Sequence, residues 1–392
     1  MAYRFDLDDV AFLRSARGAA ALEAAARLPL TPASRLDDVA TVRRAAGEEH
    51  AAAVLETAVL RRRAVSKLDG AEHWLLTDAA LQQATAGPVA RYRAARLAGR
   101  DVHDVTCSIG AELVALAGVA RRVVGSDLDP VRLAMARHNC TVAGADVTLL
   151  RADALRPVTR GTVVVADPGR RDEGGRRRWR PEDLEPPLDE LAEAYRGRDL
   201  VVKCAPGLDF AAVPWAREIE LVSLAGQVRE ATLWTGDLAT PGVRRRATVL
   251  GPSGPLWTVT DAEPDDCPVR PAGEWLVDPD GAVVRAGLVR HYAARHGLGQ
   301  LDPRIAYLTG DTPPPGVRAF RVVEQVRYGE KALRAVLRRH DVGRLEILAR
   351  GVDVDPDVLR RRLKPSGTTE ATVVLTRIGD TPTAFLCRAE RV

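Results

Sequence analysis

The stretch His103-Asp104-Val105-Thr106-Cys107-Ser108-Ile109-Gly110-Ala111-Glu112, continued by Leu113-Val114-Ala115-Leu116, decides how the rest of the sequence is read. It begins as a short β-branched run, passes through a turn of small residues, and ends as the start of a helix. In an open parallel sheet this junction lies at the carboxyl edge of the strands, at the switch point where ligands bind. Small residues let a ligand approach the backbone closely, and the first helical turn offers free N–H groups. Downstream, β-branched runs at 123–125, 147–150, 162–166 and 200–203 alternate with helical stretches, the rhythm of βαβ units. Further runs at 218–224, 230–234 and 246–250 read as late strands, close enough for an antiparallel hairpin at one sheet edge. Upstream, residues 1–98 read as helical, rich in Ala, Leu, Arg and Glu, with breaks at Pro32 and Gly47. The expected fold is α/β: a Rossmann-like doubly wound sheet with an N-terminal helical region and a small C-terminal α+β module.

Three strand tips carry acids. Asp104 ends the first, and Asp127, 23 positions later, ends the second, where a carboxylate suits the two hydroxyls of a ribose. Asp153 follows the third, placed to accept from an adenine amino group. Each alone could be a helix cap or a solvent-facing strand end. Together they point to a nucleoside cofactor, which both NAD and S-adenosylmethionine contain. A dinucleotide fingerprint requires G-x-G-x-x-G to admit a pyrophosphate, and only Gly110 is present here. A cofactor without phosphates therefore fits better.

Asp104–Glu112 resembles the first motif of class I S-adenosylmethionine-dependent methyltransferases, usually D-x-x-C-G-x-G-G, and the resemblance covers roughly residues 72–250. It implies S-adenosyl-L-methionine as cofactor, with Asp104, Cys107, Ser108 and Gly110 along its methionine and ribose portion. Asp127 would then hold the ribose hydroxyls and Asp153 lie near the adenine. Ser108 and Ala111 stand where that family more often has glycine, and Glu112 where it often has Asp.

The fourth strand ends in Val165-Ala166-Asp167-Pro168-Gly169-Arg170. Asp167-Pro168 resembles the [D/N]-P-P-[aromatic] motif of methyltransferases acting on exocyclic amines of bases. Such an amine has its lone pair delocalised into the ring and attacks poorly. A carboxylate and a backbone carbonyl that accept its two N–H groups, here Asp167 and Pro168 as the catalytic pair, can aim it in line with the methyl sulfonium. Gly169 and Arg170 depart from the motif and remove its stacking aromatic; Arg170 or Trp179 would substitute. The alternative is that Asp167-Pro168 only terminates a strand. Residues 170–180 hold six arginines against two acids, with Trp179 interleaved and Gly174-Gly175 as a hinge. That composition reads either as a solvated loop or as a nucleic-acid loop in which Arg170, Arg171 and Trp179 bind substrate. Lys203, at the tip of the fifth strand, would meet substrate phosphate or pair with Asp167.

Composition frames these readings. With 392 residues, 46% hydrophobic and 28% charged, the chain suits a soluble globular protein of two or three domains. No apolar run is long enough for a membrane helix and no signal core follows Met1, so the expectation is cytoplasmic. Five scattered cysteines indicate neither zinc nor disulfides, and no metal is expected. Of 57 basic residues only four are lysines, a bias that genome composition alone could produce. Its placement says more: residues 316–392 contain 16 Arg plus Lys and 10 Asp plus Glu, net +6, so the other 315 residues sum to −2 of the whole-chain +4. A localised surplus is the footprint of phosphate-backbone binding.

This basic segment reads as strand, helix, strand, helix and two final strands, after a linker at Thr312-Pro313-Pro314-Pro315-Gly316. With Lys364-Pro365-Ser366-Gly367 before a strand, it resembles the THUMP-like domain attached to some class I methyltransferases, which implies RNA, tRNA or rRNA, as partner. The expected organisation is a helical region at 1–98, a methyltransferase domain at 99–250, a connecting region at 251–315 and a THUMP-like basic α/β module at 316–392. The expected function is methylation of an exocyclic amine of an RNA base. The alternatives are a small-molecule or protein methyltransferase, or a catalytically inactive S-adenosylmethionine-binding protein that docks RNA.

Overall fold

The computed structural model describes residues 3–169 and 180–391. Arg170, Arg171 and Trp179 therefore lie outside the described residues. The chain divides into two compact units, residues 1–241 with 249–256, and residues 242–248 with 257–392.

The first unit begins with helices α1 (Leu7–Arg14), α2 (Ala16–Ala26), α3 (Arg35–Ala46), α4 (Ala51–Ala64), α5 (Asp78–Gln83) and α6 (Gly87–Ala95). Local chemistry starts them. Asp6 and Asp9 form a reciprocal capping box on α1, Ser15 caps α2, and Thr77 caps α5. Their alanine-rich faces, including Ala21, Ala25, Ala53 and Ala58, join Ile109 and Met135 in one buried core.

The sheet follows as β1 (Asp101–Asp104), β2 (Arg122–Asp127), β3 (Thr148–Arg151), β4 (Val163–Ala166), β5 (Leu200–Cys204), β6 (Glu218–Leu224), β7 (Gln227–Trp234), β8 (Arg245–Gly251) and β9 (Gly254–Thr260). Helices α7 (Ala111–Ala117), α8 (Pro130–Val142) and α9 (Leu188–Ala194) alternate with its first strands. The order is β3-β2-β1-β4-β5-β7-β6-β8-β9, with the pairs among β1 to β5 parallel and β7 antiparallel to both neighbours. The hairpin of β6 and β7 is thus internal rather than at the edge as expected, because β8 and β9 continue beyond it. The Gly251–Pro255 stretch, read as a break, is the turn between β8 and β9 and the start of β9. Its Gly and Pro obscured the β-propensity of the residues that follow.

Register sets the site. Asp104 pairs with Gly125 and Val165, and Ala166 pairs with Val202, so Asp127, Asp167 and Lys203 emerge at one edge. Behind that edge Asn139 of α8 is fully buried. Its side chain accepts from the Leu75 N–H at 2.7 Å and donates to the Leu75 and Ile109 carbonyls, each at 2.9 Å. Arg96, just past α6, spans Glu218 and Glu220 of β6 at 2.9 and 2.8 Å and stacks on Trp234.

The second unit contains β10 (Trp275–Val277), α10 (Gly281–Ala286), α11 (Val289–Arg295), β11 (Gly299–Gln300), β12 (Leu308–Gly310), β13 (Arg318–Arg327), α12 (Glu330–Arg339), β14 (Val342–Ala349), α13 (Pro356–Leu363), β15 (Thr369–Ile378) and β16 (Thr381–Arg391). Its sheet runs β11-β12-β10-β13-β16-β15-β14. Three of these strands come from 251–315, the stretch read as a connection; at two or three residues each they are too short to show a period. The proline run at 313–315 joins β12 to β13 within this one sheet instead of linking separate bodies. Leu333, Val336, Leu337, Leu359 and Leu363 bury the apolar stripes of α12 and α13 against it.

Candidate active site

At the carboxyl edge of the first sheet lies a cavity of about 470 Å³, within the usual range for small-molecule sites. Asp104, Cys107, Ser108, Asp127, Asp153, Asp167 and Lys203 all line it, so the structure brings together most of the residues singled out by sequence. Gly110 and Pro168 are buried and do not line it.

The turn explains itself residue by residue. Ser108 has φ 48°, a left-handed conformation that is comfortable for glycine and costs another residue roughly 1–2 kcal/mol. Asp127 offsets this by accepting the Ser108 N–H at 2.9 Å, while its other oxygen accepts from the Asp129 N–H at 3.0 Å. Four lone-pair directions on that carboxylate leave room for ligand hydroxyls. Gly110 has φ 83°, and a Cβ there would meet Cys140 Sγ at 3.2 Å and the Ala136 backbone at 3.3 Å. Its glycine is demanded by helix α8 behind the turn, not by anything in the cavity.

Asp104 is 3% exposed. It accepts from the Thr106 N–H at 3.0 Å. Burial, together with the nearby carboxylates Glu112, Asp167 and Asp127, pushes its carboxyl up to about 8. Burial also holds the Cys107 thiol well above its ordinary range, which makes it a packing group and not a nucleophile. Asp153 accepts from the Leu155 N–H at 2.9 Å.

Asp167 is fixed twice. Its N–H donates to Thr106 Oγ1 at 2.7 Å, tying the β4 tip to the β1 turn. Its Oδ2 receives the Lys203 ammonium, which also donates to the Gln83 carbonyl at 2.9 Å. Lys203 is only 6% exposed and therefore pairs with Asp167, the second of its two expected roles, rather than waiting for phosphate.

Sequence reasoning missed Arg93, which also reaches the cavity wall. This α6 guanidinium is 2% exposed. It grips Glu112 through Nε at 2.9 Å and Nη2 at 2.8 Å, donates to Glu230 through Nη1, and reaches Thr85 Oγ1 at 3.1 Å. Burial alone would loosen its proton, but Glu112 and Glu230 hold it more firmly than usual. A signal was present: Arg93 falls on the helical stripe of Val89, Ala90 and Ala94, where an unpaired arginine would be costly.

The residues fit S-adenosylmethionine. It carries a sulfonium and an ammonium against one carboxylate, and the wall offers six acidic side chains, with the cations Arg93 and Lys203 already engaged. Two proteins of Mycobacterium tuberculosis, strains CDC 1551 and H37Rv, both described as uncharacterised S-adenosylmethionine-dependent methyltransferases, are each 58% identical to this chain over 351 residues, 86% of it and 97% of theirs. The chain belongs to the S-adenosylmethionine-dependent methyltransferases. The fold of this methyltransferase matches the crystal structure of a candidate methyltransferase from Porphyromonas gingivalis W83 over 100% of both chains, with TM-score 0.75 and 20% identity. Residues 317–389 of the methyltransferase match the family described as THUMP domain-like, and residues 6–64 match a domain of unknown function, DUF8688. No group of metal ligands occurs among the described residues, and no helix among them is long and apolar enough to cross a membrane.

Proposed function

We propose that this methyltransferase methylates an exocyclic amine of an RNA base, in tRNA or rRNA. The observation that carries the reading is Asp167 on the cofactor cavity, bonded through its own N–H to the β1 turn. Bound S-adenosylmethionine supplies an electrophilic methyl group. Asp104, Cys107 and Ser108 form the bed of its amino-acid and ribose portion, with Gly110 behind them allowing the turn to pack on α8, Asp127 takes the ribose hydroxyls, and Asp153 faces the adenine. Lys203 occupies one oxygen of Asp167 and leaves the other to accept an amine N–H, while Pro168, which does not line the cavity, fixes the strand end that carries Asp167. As the amine nitrogen bonds to the methyl carbon, the carbon–sulfonium bond would break with its electron pair left on the sulfur, and the surplus proton on the nitrogen leaves through the Asp167 carboxylate to water. Arg170, Arg171 and Trp179 would hold the nucleic acid.

The test is transfer of a radiolabelled methyl group to total RNA, followed by nucleoside analysis. Label in an N-methylated nucleoside is expected, lost in Asp167→Ala. Label confined to protein or small molecules would replace the substrate class, and cofactor binding without any transfer would leave an RNA-docking protein without catalysis.

A further inference from the structure

Many arginines of the C-terminal segment are held by acids where they stand. Arg318 pairs with Glu346, Arg321 with Glu274, Arg339 with Glu324, Arg344 with Glu370, Arg350 with Asp278, and Arg362 with Glu330. Net charge therefore does not say which cations an anion would meet. Arg338 and Lys364 have no acidic partner among the described residues, and both are exposed. Both line the same cleft of about 150 Å³, between α12 and the turn that follows α13.

The cleft is built rather than incidental. Arg334 and Arg338 stand one helical turn apart on α12, so their guanidiniums rise from one face. Arg334 keeps an Nη2 bond to the Arg362 carbonyl at 3.1 Å, which holds it toward α13. Lys364 closes α13 in a left-handed conformation, φ 49°, and the chain then runs through Pro365-Ser366-Gly367 along the cleft. Two glycines set that turn. A Cβ on Gly343 would meet the Gly367 carbonyl oxygen at 1.8 Å, and one on Gly367 would meet the Asp341 carbonyl oxygen at 2.0 Å. Gly367 N–H donates to the Val342 carbonyl at 3.1 Å and Thr369 N–H to that of Asp341 at 2.9 Å. The acid of the cleft, Asp341, is engaged by the Thr368 N–H at 3.2 Å and by the Thr368 hydroxyl. Neither the amide nor the hydroxyl of Ser366 has a hydrogen-bond partner among the described residues.

We infer that Arg334, Arg338, Lys364 and Ser366 form a phosphate-binding cleft that grips the RNA backbone. The inference rests on the RNA reading above and adds the place and the chemistry of the grip: two cations without acidic partners among the described residues, Arg334 shared with Glu330 at 3.8 Å, and the amide and hydroxyl of Ser366 converge on one concavity, sequence-blind and screened by salt. Lys331, seven residues before Arg338 and so on the same stripe of α12, continues the cationic track by about 10 Å along the helix.

The test compares two neutralised variants of the full chain, using fluorescence anisotropy with an unmodified tRNA transcript across a salt series. Arg338→Gln with Lys364→Gln removes two cleft cations. Arg388→Gln with Arg391→Gln removes the same charge from the exposed C-terminal end of β16. The cleft variant is expected to bind about tenfold more weakly, with its log–log salt slope reduced by about 2, one per lost phosphate contact. The β16 variant should change affinity less than about twofold. Equal effects in both variants, or none in the first, would overturn the cleft; RNA labelled by the wild type in the same preparation would then leave the methylation reading standing. Wild-type protein that neither binds nor labels RNA would overturn both.

Discussion

The cofactor cavity and the C-terminal cleft treat charge in opposite ways. In the cavity, Arg93 and Lys203 are 2% and 6% exposed, and both are bonded to carboxylates or carbonyls of the wall. In the cleft, Arg338 and Lys364 stand in solvent with no acidic partner among the described residues. A buried cation cannot be left waiting for a ligand, because an uncompensated charge away from water is too costly. An exposed one can, since water solvates it until phosphate arrives. The difference teaches that cations in this chain are spent on building one site and stay open to solvent at the other.

The sharpest way to break that contrast is Arg93→Met. It leaves Glu112 and Glu230 without their cation, and a loss of about 3–5 kcal/mol in urea unfolding is expected. A loss below about 1 kcal/mol would place Arg93 with exposed pairs and erase the distinction.

Next comes pH. His103, 1% exposed between Ser126 Oγ and Thr159 Oγ1, has its proton affinity lowered to about 4 by burial and by Arg198. Its contribution is complete above the unfolded value near 6.5 and is lost as pH falls toward 4, roughly 3 kcal/mol in all. Asp104 acts in the other direction. Its folded carboxyl, raised to about 8, binds a proton the unfolded chain has released, so its contribution fades as pH rises from about 4 through 8. Asp104→Asn should therefore flatten the ligand-free stability profile between pH 6.5 and 8 and unmask a steeper loss below 6.5. The same variant should weaken S-adenosylmethionine binding about tenfold or more by calorimetry. An unchanged profile would mean Asp104 is ionised in the folded protein.

The smallest effect sharpens the other side. Arg344 and Glu370 pair with side chains 84% and 66% exposed, so Arg344→Ala should change stability by less than about 1 kcal/mol.

Much of this was legible in the residues. Strands β1 to β5 announced themselves as β-branched runs, and the acids at their tips met around one cavity because parallel strands end at a common edge. What stayed hidden depends on contacts distant in sequence. Arg93 reads as one arginine among many until Glu112 and Glu230 fold around it. Gly110 reads as a ligand-facing glycine until α8 packs behind it. β10 to β12 carry too few residues to show any alternation, and the net charge of the C-terminal segment conceals which arginines are already paired.

The Asn139 amide bears on where this enzyme can be cut. One side chain closes three hydrogen bonds between the segment before α5 and the cofactor turn, inside a core that the N-terminal helices share with Ile109 and Met135. A fragment starting at the first strand would strand that amide and the Ile109 carbonyl without their folded surroundings and lay the shared apolar face bare. The smallest autonomous catalytic piece therefore begins upstream of Leu75, and the helical prefix travels with the sheet as part of its foundation.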